Sequence, residues 1–147
     1  MRYGLRAMIE IAKNNDGKAV LQKDISRAQE ISAGYLDTII ASLKSAGLIK
    51  NYAGKHSGYV LAKSAVDINV YDIYKAFEPD INIVNCTCPS NECSRLNICP
   101  ATDYWSSLND VIRENMIDTS LRSFLIGGRN GKVKLNKIKI HNLNKML

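Results

Sequence analysis

The feature that most constrains the fold is a run of three helical apolar patterns followed directly by two strand patterns. Residues 3–14 carry their apolar side chains on one helical stripe, and two further helical patterns follow before Gly47. Ser32 is a favourable N-cap for the third pattern, and Gly47 stands where a glycine commonly ends a helix. Residues 48–52 and 58–61 are typical of short strands joined by a glycine-containing loop. Three helices and a β-hairpin in this order predict a winged helix-turn-helix.

The rest of the chain continues as helices on either side of one loop. Residues 69–77 have helical spacing and end before Pro79, and residues 80–100 form a loop that contains proline breakers. A long helical pattern starts at Ala101, and a short one follows before the glycine pair at 127–128. We therefore predict a mainly α fold with one small β-hairpin, in which a winged helix-turn-helix precedes a long C-terminal helix.

Length and composition narrow the class of protein. A chain of 147 residues that is 46% hydrophobic can build a packed core. No apolar run reaches the roughly 18–20 residues that cross a bilayer, and the N-terminus lacks a signal-peptide pattern, so we expect a cytoplasmic protein without a membrane partner. The sequence has no glycine-rich phosphate loop, C-x-x-C pair or acid–base pair, so we do not expect an enzyme.

The net charge of +6 is unevenly distributed along the chain. Residues 127–147 hold six basic side chains and no acidic one, so this tail accounts for the whole net charge, and we expect it to be solvated and mobile. Residues 1–63 have ten basic and five acidic side chains, whereas residues 64–126 have four basic and nine acidic. A positive N-terminal half is suited to face phosphates while the acidic half points away from them.

The third helix is expected to present its outward side chains to DNA, because the second helix of a helix-turn-helix motif is the recognition helix. Tyr35 can reach a phosphate, Asp37 can accept from the amino group of a cytosine, and Thr38 can contact a thymine methyl group or a phosphate. Lys55 and His56, in the hairpin loop, can meet the DNA backbone or the minor groove. The predicted DNA-binding residues are Arg2, Ser32, Gly34, Tyr35, Asp37, Thr38, Ser42, Lys55 and His56. A winged-helix interaction module that binds no nucleic acid is the open alternative.

All four cysteines fall within 14 residues, at Cys86, Cys88, Cys93 and Cys99. In a chain without an export signal, clustered thiols are more typical of metal ligands or redox sensors than of disulfides. Soft thiolates suit both iron–sulfur clusters and zinc. The two C-x2-C pairs common in structural zinc sites are absent, so the spacing favours an iron–sulfur cluster and leaves zinc as the alternative. Free thiols in a flexible loop are the remaining interpretation.

Several short motifs occur in an order that resembles one family of regulators. They are Tyr3-Gly4-Leu5-Arg6-Ala7-Met8, Tyr35-Leu36, Ala46-Gly47-Leu48 and Gly58-Tyr59-Val60-Leu61-Ala62. Over residues 1–126 the chain is similar to the Rrf2 family of bacterial winged-helix transcriptional regulators, in its IscR-like and NsrR-like iron–sulfur branch. The resemblance implies a homodimeric repressor or activator of a double-stranded DNA operator, with a dimerisation helix at Ala101–Asp118. The hairpin loop has Ala53 where the family usually has an arginine, so Lys55 or His56 is expected to take part of that contact.

The sequence patterns divide the chain into four predicted units, and the resemblance adds a set of metal ligands. The predicted units are a DNA-binding domain at 1–78, a cysteine-rich cluster-binding loop at 79–100, a dimerisation helix with a short terminal helix at 101–126, and the basic tail at 127–147. The family implies three cysteine ligands to a two-iron or four-iron cluster. Cys93 and Cys99 match the second and third of these, and the first matches either Cys86 or Cys88.

The fourth ligand does not follow from the family pattern. The two positions that supply it in the family hold Thr102 and Arg2 in this chain. We therefore predict that Cys86 and Cys88 both bind the cluster, with Asp103 as the runner-up for the fourth position.

The predicted function combines these parts. We expect a dimeric, sequence-specific DNA-binding regulator, acting as a repressor, whose operator affinity is switched by an iron–sulfur cluster. The signal is nitric oxide, redox stress or iron–sulfur supply. The alternative is a zinc-stabilised or metal-free winged-helix regulator or interaction module.

Overall fold

The computed structural model describes residues 1–14, 18–52, 58–85 and 93–126. The helices are α1 (Arg2–Lys13), α2 (Gln22–Gln29), α3 (Ala33–Ser45), α4 (Val70–Lys75), α5 (Thr102–Ile117) and α6 (Ser123–Ile126), and the strands are β1 (Ile49–Asn51) and β2 (Tyr59–Leu61). The predicted order of three helices, a hairpin and further helices is confirmed. Among the described residues, no helix is both long enough and apolar enough to cross a membrane.

A tight turn joins α2 to α3. Glu30 adopts a left-handed conformation with φ of 52°, which reverses the chain after α2. The Ile31 amide donates to the Ser26 carbonyl at 3.1 Å, and the Ser26 hydroxyl donates back to the Ile31 carbonyl at 2.6 Å. These bonds satisfy groups that the end of a helix leaves free, so the angle between the two helices is fixed locally.

The two ends of α3 are held in different ways. Ser32 occupies the N-cap position, as predicted, but its exposed side chain makes no capping hydrogen bond to α3. At the other end Gly47 has φ of +67°, and its amide donates to the Lys44 carbonyl at 2.9 Å. The Leu48 amide donates to the Leu43 carbonyl at 3.0 Å, so both carbonyls are satisfied in a Schellman motif.

The hairpin is a two-stranded antiparallel sheet, and an isolated β-bridge adds one more residue to its edge. Ile49 pairs with Leu61, and Asn51 pairs with Tyr59. Val20, just before α2, forms an isolated bridge with Tyr59 through two backbone hydrogen bonds of 3.0 and 2.9 Å. This bridge, which the sequence pattern does not indicate, fixes the hairpin to the start of the helix-turn-helix.

One core lies between α1, α2, α3 and the hairpin, and it extends to the residues around α4. The fully buried large side chains are Met8, Ile25, Leu36, Leu43, Ile68, Ile73 and Leu121. The buried residues of α3 are Leu36, Ile39, Ile40 and Leu43. In α1 the buried residues are Gly4, Ala7, Met8, Ile11 and Ala12, while Leu5 and Ile9 are partly buried against the core.

The long helix α5 is packed differently from the others. It contacts α4, and its only buried residue is Asn109. The apolar side chains of α5, including Trp105, Leu108, Val111 and Ile112, are half-buried. The described part of a single chain therefore leaves an apolar sector of α5 incompletely covered.

Candidate DNA-binding face and cysteine loop

The outward face of α3 brings six of the predicted DNA-binding residues together. Ser32, Gly34, Tyr35, Asp37 and Thr38 are exposed, and Ser42 is half-buried with its hydroxyl bonded to the Thr38 carbonyl at 3.1 Å. Tyr35 is 51% exposed, and a Cβ atom placed on Gly34 would meet nothing within 4 Å. This face has the open surface that a recognition helix needs. The predicted hairpin contacts Lys55 and His56 lie outside the described residues.

Arg2 is linked to this face through aromatic rings. Its guanidinium lies 4.7 Å from the ring centroid of Tyr3 and donates to the Tyr3 hydroxyl at 3.0 Å. The Tyr3 ring in turn makes an edge contact with Tyr35, with 5.6 Å between centroids. Arg6 lies on the same ring at 5.4 Å. Cation–π contacts of this kind hold positive charge beside the N-terminal end of α3, where phosphate is expected.

A polar network fixes α1 against the turn of the helix-turn-helix. Arg6 donates to the Gln29 side-chain oxygen at 3.0 Å and also to the Gln29 carbonyl. The Gln29 amide group donates to Glu10 at 2.8 Å, and Lys13 pairs with the same Glu10 oxygen at 2.7 Å. Because the network is largely part-buried and includes charged groups, we expect it to resist movement of the end of α2 relative to α1.

Gln22 is a residue of this face that the sequence did not single out. It is the first residue of α2, and its side chain contacts Asp37 at 2.5 Å and Tyr59 at 3.0 Å. A glutamine at a helix start has no distinctive pattern, so only the folded arrangement reveals these contacts.

The cysteine loop is described in its second half. Cys93 and Cys99 are half-buried free thiols. Their carbonyls accept from the Leu96 amide at 3.0 Å and the Thr102 amide at 3.2 Å, so a turn follows each cysteine and the second turn leads into α5. The Thr102 hydroxyl donates to the Leu96 carbonyl at 3.2 Å, which gives this side chain a structural role in the loop.

The other half of the predicted ligand set, Cys86 and Cys88, lies outside the described residues. Asp103, the runner-up ligand, is exposed in the first turn of α5. Within the described ranges, no group of three or more potential ligand side chains lies together. The two described thiols have the soft donor chemistry that suits a metal centre.

The root of the loop is bonded to both neighbouring helices. Oδ1 of Asp80 accepts from the Ile81 amide at 2.7 Å, the Tyr71 hydroxyl at 3.2 Å and Arg113 at 3.4 Å. The Ile81 amide, followed by the charge of Arg113 and the Tyr71 hydroxyl, holds the pKa of Asp80 below its ordinary value of 3.8, although burial opposes this shift. Tyr71 belongs to α4 and Arg113 to α5, so one carboxylate links the loop to two helices.

A second contact joins the loop root to α5. The Ile83 amide donates to Oδ1 of Asn109 at 3.0 Å. Asn109 is only 5% exposed, so the acceptor side of this part-buried bond lies in the interior. A buried amide of this kind is costly to leave unpaired, and the loop root and α5 are therefore expected to move together.

Comparison with known proteins identifies the class of this molecule. Residues 1–126 match the model of the Rrf2 family, described as an iron-dependent transcriptional regulator. The chain belongs to the Rrf2 family. It is 38% identical over 104 residues to the protein rrf2 of Nitratidesulfovibrio vulgaris, an alignment that covers 71% of this chain and 69% of that protein.

Two solved structures have the same fold. The structure of CymR, described as the global cysteine regulator of B. subtilis, matches with a TM-score of 0.68 and 29% identity, over 85% of this chain and 92% of that chain. IscR of T. potens matches with a TM-score of 0.67 and 29% identity, over 82% of this chain and 79% of that chain. The relatives are transcriptional regulators and not enzymes, which confirms the predicted family, the winged-helix fold and the absence of an enzymatic role. This Rrf2 protein is accordingly a transcriptional regulator of a DNA-binding family.

Proposed function

We propose that this Rrf2 protein is a homodimeric, sequence-specific repressor whose operator affinity depends on an iron–sulfur cluster in the cysteine loop. The observation that carries the proposal is the bonding of the loop root to α4 and α5 through Asp80 and Asn109. A change in the cysteine loop can reach α5 through these bonds. If α5 joins the two subunits, such a change alters the spacing of the two recognition helices.

The dimer part of the proposal rests on α5. A helix of 16 residues with one buried side chain leaves apolar surface that a second copy of the helix can cover. Exposed apolar side chains at both of its ends, Tyr104 at 62% and Ile117 at 44%, extend that surface. A two-fold dimer places two recognition helices about one turn of DNA apart, roughly 34–36 Å, so a small change in spacing alters operator affinity.

The cluster part of the proposal rests on the four thiols. Cys93 and Cys99 lie in the loop segment that leads into α5, and Cys86 and Cys88 are the proposed partners that complete a four-thiolate site. When bound, the cluster supplies a centre that oxidation or nitric oxide can destroy, which removes the bonds that order the loop. The chain's own residues then transmit the change, with the Asp80 carboxylate and the Asn109 amide as the connections to the helices.

Anaerobic purification tests the proposal directly. We expect a brown protein with iron and sulfide bound, and specific DNA binding that falls when nitric oxide or an oxidant removes the cluster. Cys86→Ala is expected to lower cluster stability, whereas Asp103→Ala serves as the matched variant for the runner-up ligand. A Cys86→Ala protein with the parent spectrum and the parent stability would show that Cys86 is not a ligand.

The metal-free and zinc-bound alternatives give different results in the same experiment. The likeness to CymR, whose description names cysteine and no metal, is the observation that favours a metal-free regulator. A colourless protein with zinc bound, or with no metal and unchanged DNA binding, would replace the cluster proposal with one of these alternatives.

A further inference from the structure

Gln22 connects the hairpin to the recognition helix through its side-chain amide. Nε2 donates to Oδ1 of Asp37 at 2.5 Å, and Oε1 accepts from the Tyr59 hydroxyl at 3.0 Å. We propose that Gln22 is a positioning residue for base recognition, which holds the Asp37 carboxylate in the orientation that selects a cytosine. This inference rests on the proposed function, because it requires the face of α3 to read an operator.

The chemistry of the three groups fixes the direction of both hydrogen bonds. An ionised carboxylate only accepts, so the Gln22 nitrogen must face Asp37 and the Gln22 oxygen must face Tyr59. The Tyr59 hydroxyl is then the donor, and the chain of bonds runs from the hairpin to the carboxylate. Hydrogen bonds aligned in one direction polarise one another, and a bond that ends on a carboxylate is stronger than a neutral one.

Both neighbours of Gln22 belong to elements with fixed positions. The Tyr59 amide donates to the Val20 carbonyl at 2.9 Å, and the Val20 amide donates to the Tyr59 carbonyl at 3.0 Å. Asp37 lies one residue after Leu36, which is fully buried in the core. The backbone positions are therefore set, and the Gln22 amide supplies the bond that selects one side-chain rotamer of Asp37.

A fixed carboxylate matters because Asp37 is exposed on the outward face of α3. Without a partner it would sample several rotamers and remain solvated, and such a group discriminates weakly between bases. The bond to Oδ1 leaves Oδ2 without a hydrogen bond from the described residues, so Oδ2 is available to the cytosine amine. A guanine or a thymine would present an acceptor oxygen to the same atom, which is unfavourable.

The test measures base preference with the full-length chain, purified anaerobically. The preferred site of the parent protein is selected from a random DNA library, and affinities are then measured for every single-base change in that site. The variants are Asp37→Ala, Gln22→Ala, Gln22→Glu, Tyr59→Phe and the double variant Gln22→Ala with Asp37→Ala. Lys23→Ala is the matched control, because Lys23 is the next residue of the same helix, is exposed, and is a candidate for phosphate contact only.

We expect Asp37→Ala to abolish a preference of about tenfold at one base pair of each half-site. Gln22→Ala is expected to reduce that same preference to about threefold, with little change at the other positions. Gln22→Glu places a second carboxylate against Asp37 and should reduce the base preference further. Tyr59→Phe should also reduce the preference, with a smaller effect. In the Asp37→Ala background, loss of Gln22 should add nothing at that base pair.

Different failures have different meanings. If the parent protein selects no sequence, the proposed function fails and the inference fails with it. If the parent selects a site but Asp37→Ala leaves every preference intact, operator binding stands and the inference is overturned. The inference is also overturned if Gln22→Ala keeps the full base preference. It is likewise overturned if Gln22→Ala weakens binding equally for all sequences, as is expected of Lys23→Ala. Thermal unfolding of each variant separates these results from misfolding, and Tyr59→Phe provides a second route if Gln22→Ala is unstable.

Discussion

At the scale of single residues, close packing between helices decides which positions tolerate change. Gly4 of α1 faces the Phe77 ring that follows α4, and a Cβ atom built there would lie 2.2 Å from the nearest ring carbon. The family-like motif around Gly4 is therefore also a packing requirement. The sequence indicates a glycine at this position, but only the structure shows what fills the space beside it.

The first prediction follows from that contact. Gly4→Ala should lower the free energy of unfolding by about 1–3 kcal/mol, because the added methyl group forces Phe77 to move. Urea unfolding measures the change. Gly34→Ala is the matched control, since it is also in a helix but has open space around it, and it should leave stability unchanged or raise it by up to about 1 kcal/mol. Equal effects of the two substitutions would contradict the packing argument.

At the scale of elements, apolar periodicity and the residues that begin or end helices predict most of the fold. The features that they do not predict are polar contacts between residues far apart in the sequence. Gly47 marks the end of α3 because a left-handed position favours glycine, and Ser32 marks its start by residue type although its side chain makes no capping bond. Asn109 carries no such local signal. It is a polar residue within a helix, and its role comes from an amide that is 26 residues earlier in the chain.

The second prediction concerns this contact between the loop root and α5. Asn109→Ala should destabilise the protein by about 1–3 kcal/mol, because it leaves the Ile83 amide without its partner on α5. Hydrogen exchange at the Ile83 amide should accelerate at the same time. Ser106→Ala, at an exposed position of the same helix, should change neither measurement. If exchange at Ile83 keeps the parent rate, the loop root is not held by α5.

At the scale of the whole molecule, charge and apolar surface divide the chain into two parts of different character. The basic half carries the exposed face of α3, and the acidic half carries the loop root and α5. Sequence patterns predict this division, because net charge and apolar spacing are properties of the sequence. They do not predict that Asp80 links the loop to both helices, because that link depends on how α4 and α5 pack together.

The last prediction tests α5 as the dimerisation element. At 100° per residue, Leu108 lies at the centre of the apolar sector formed by Tyr104, Trp105, Val111 and Ile112. Leu108→Glu should weaken dimerisation at least about a hundredfold, because it places an unpaired charge in the interface, and operator affinity should fall with it. Sedimentation equilibrium gives the association constant. Ser106→Glu adds the same charge on the opposite, exposed side of α5 and should leave the dimer intact. A Leu108→Glu protein that stays dimeric would place the interface elsewhere, and the spacing of the recognition helices would then be independent of this sector of α5.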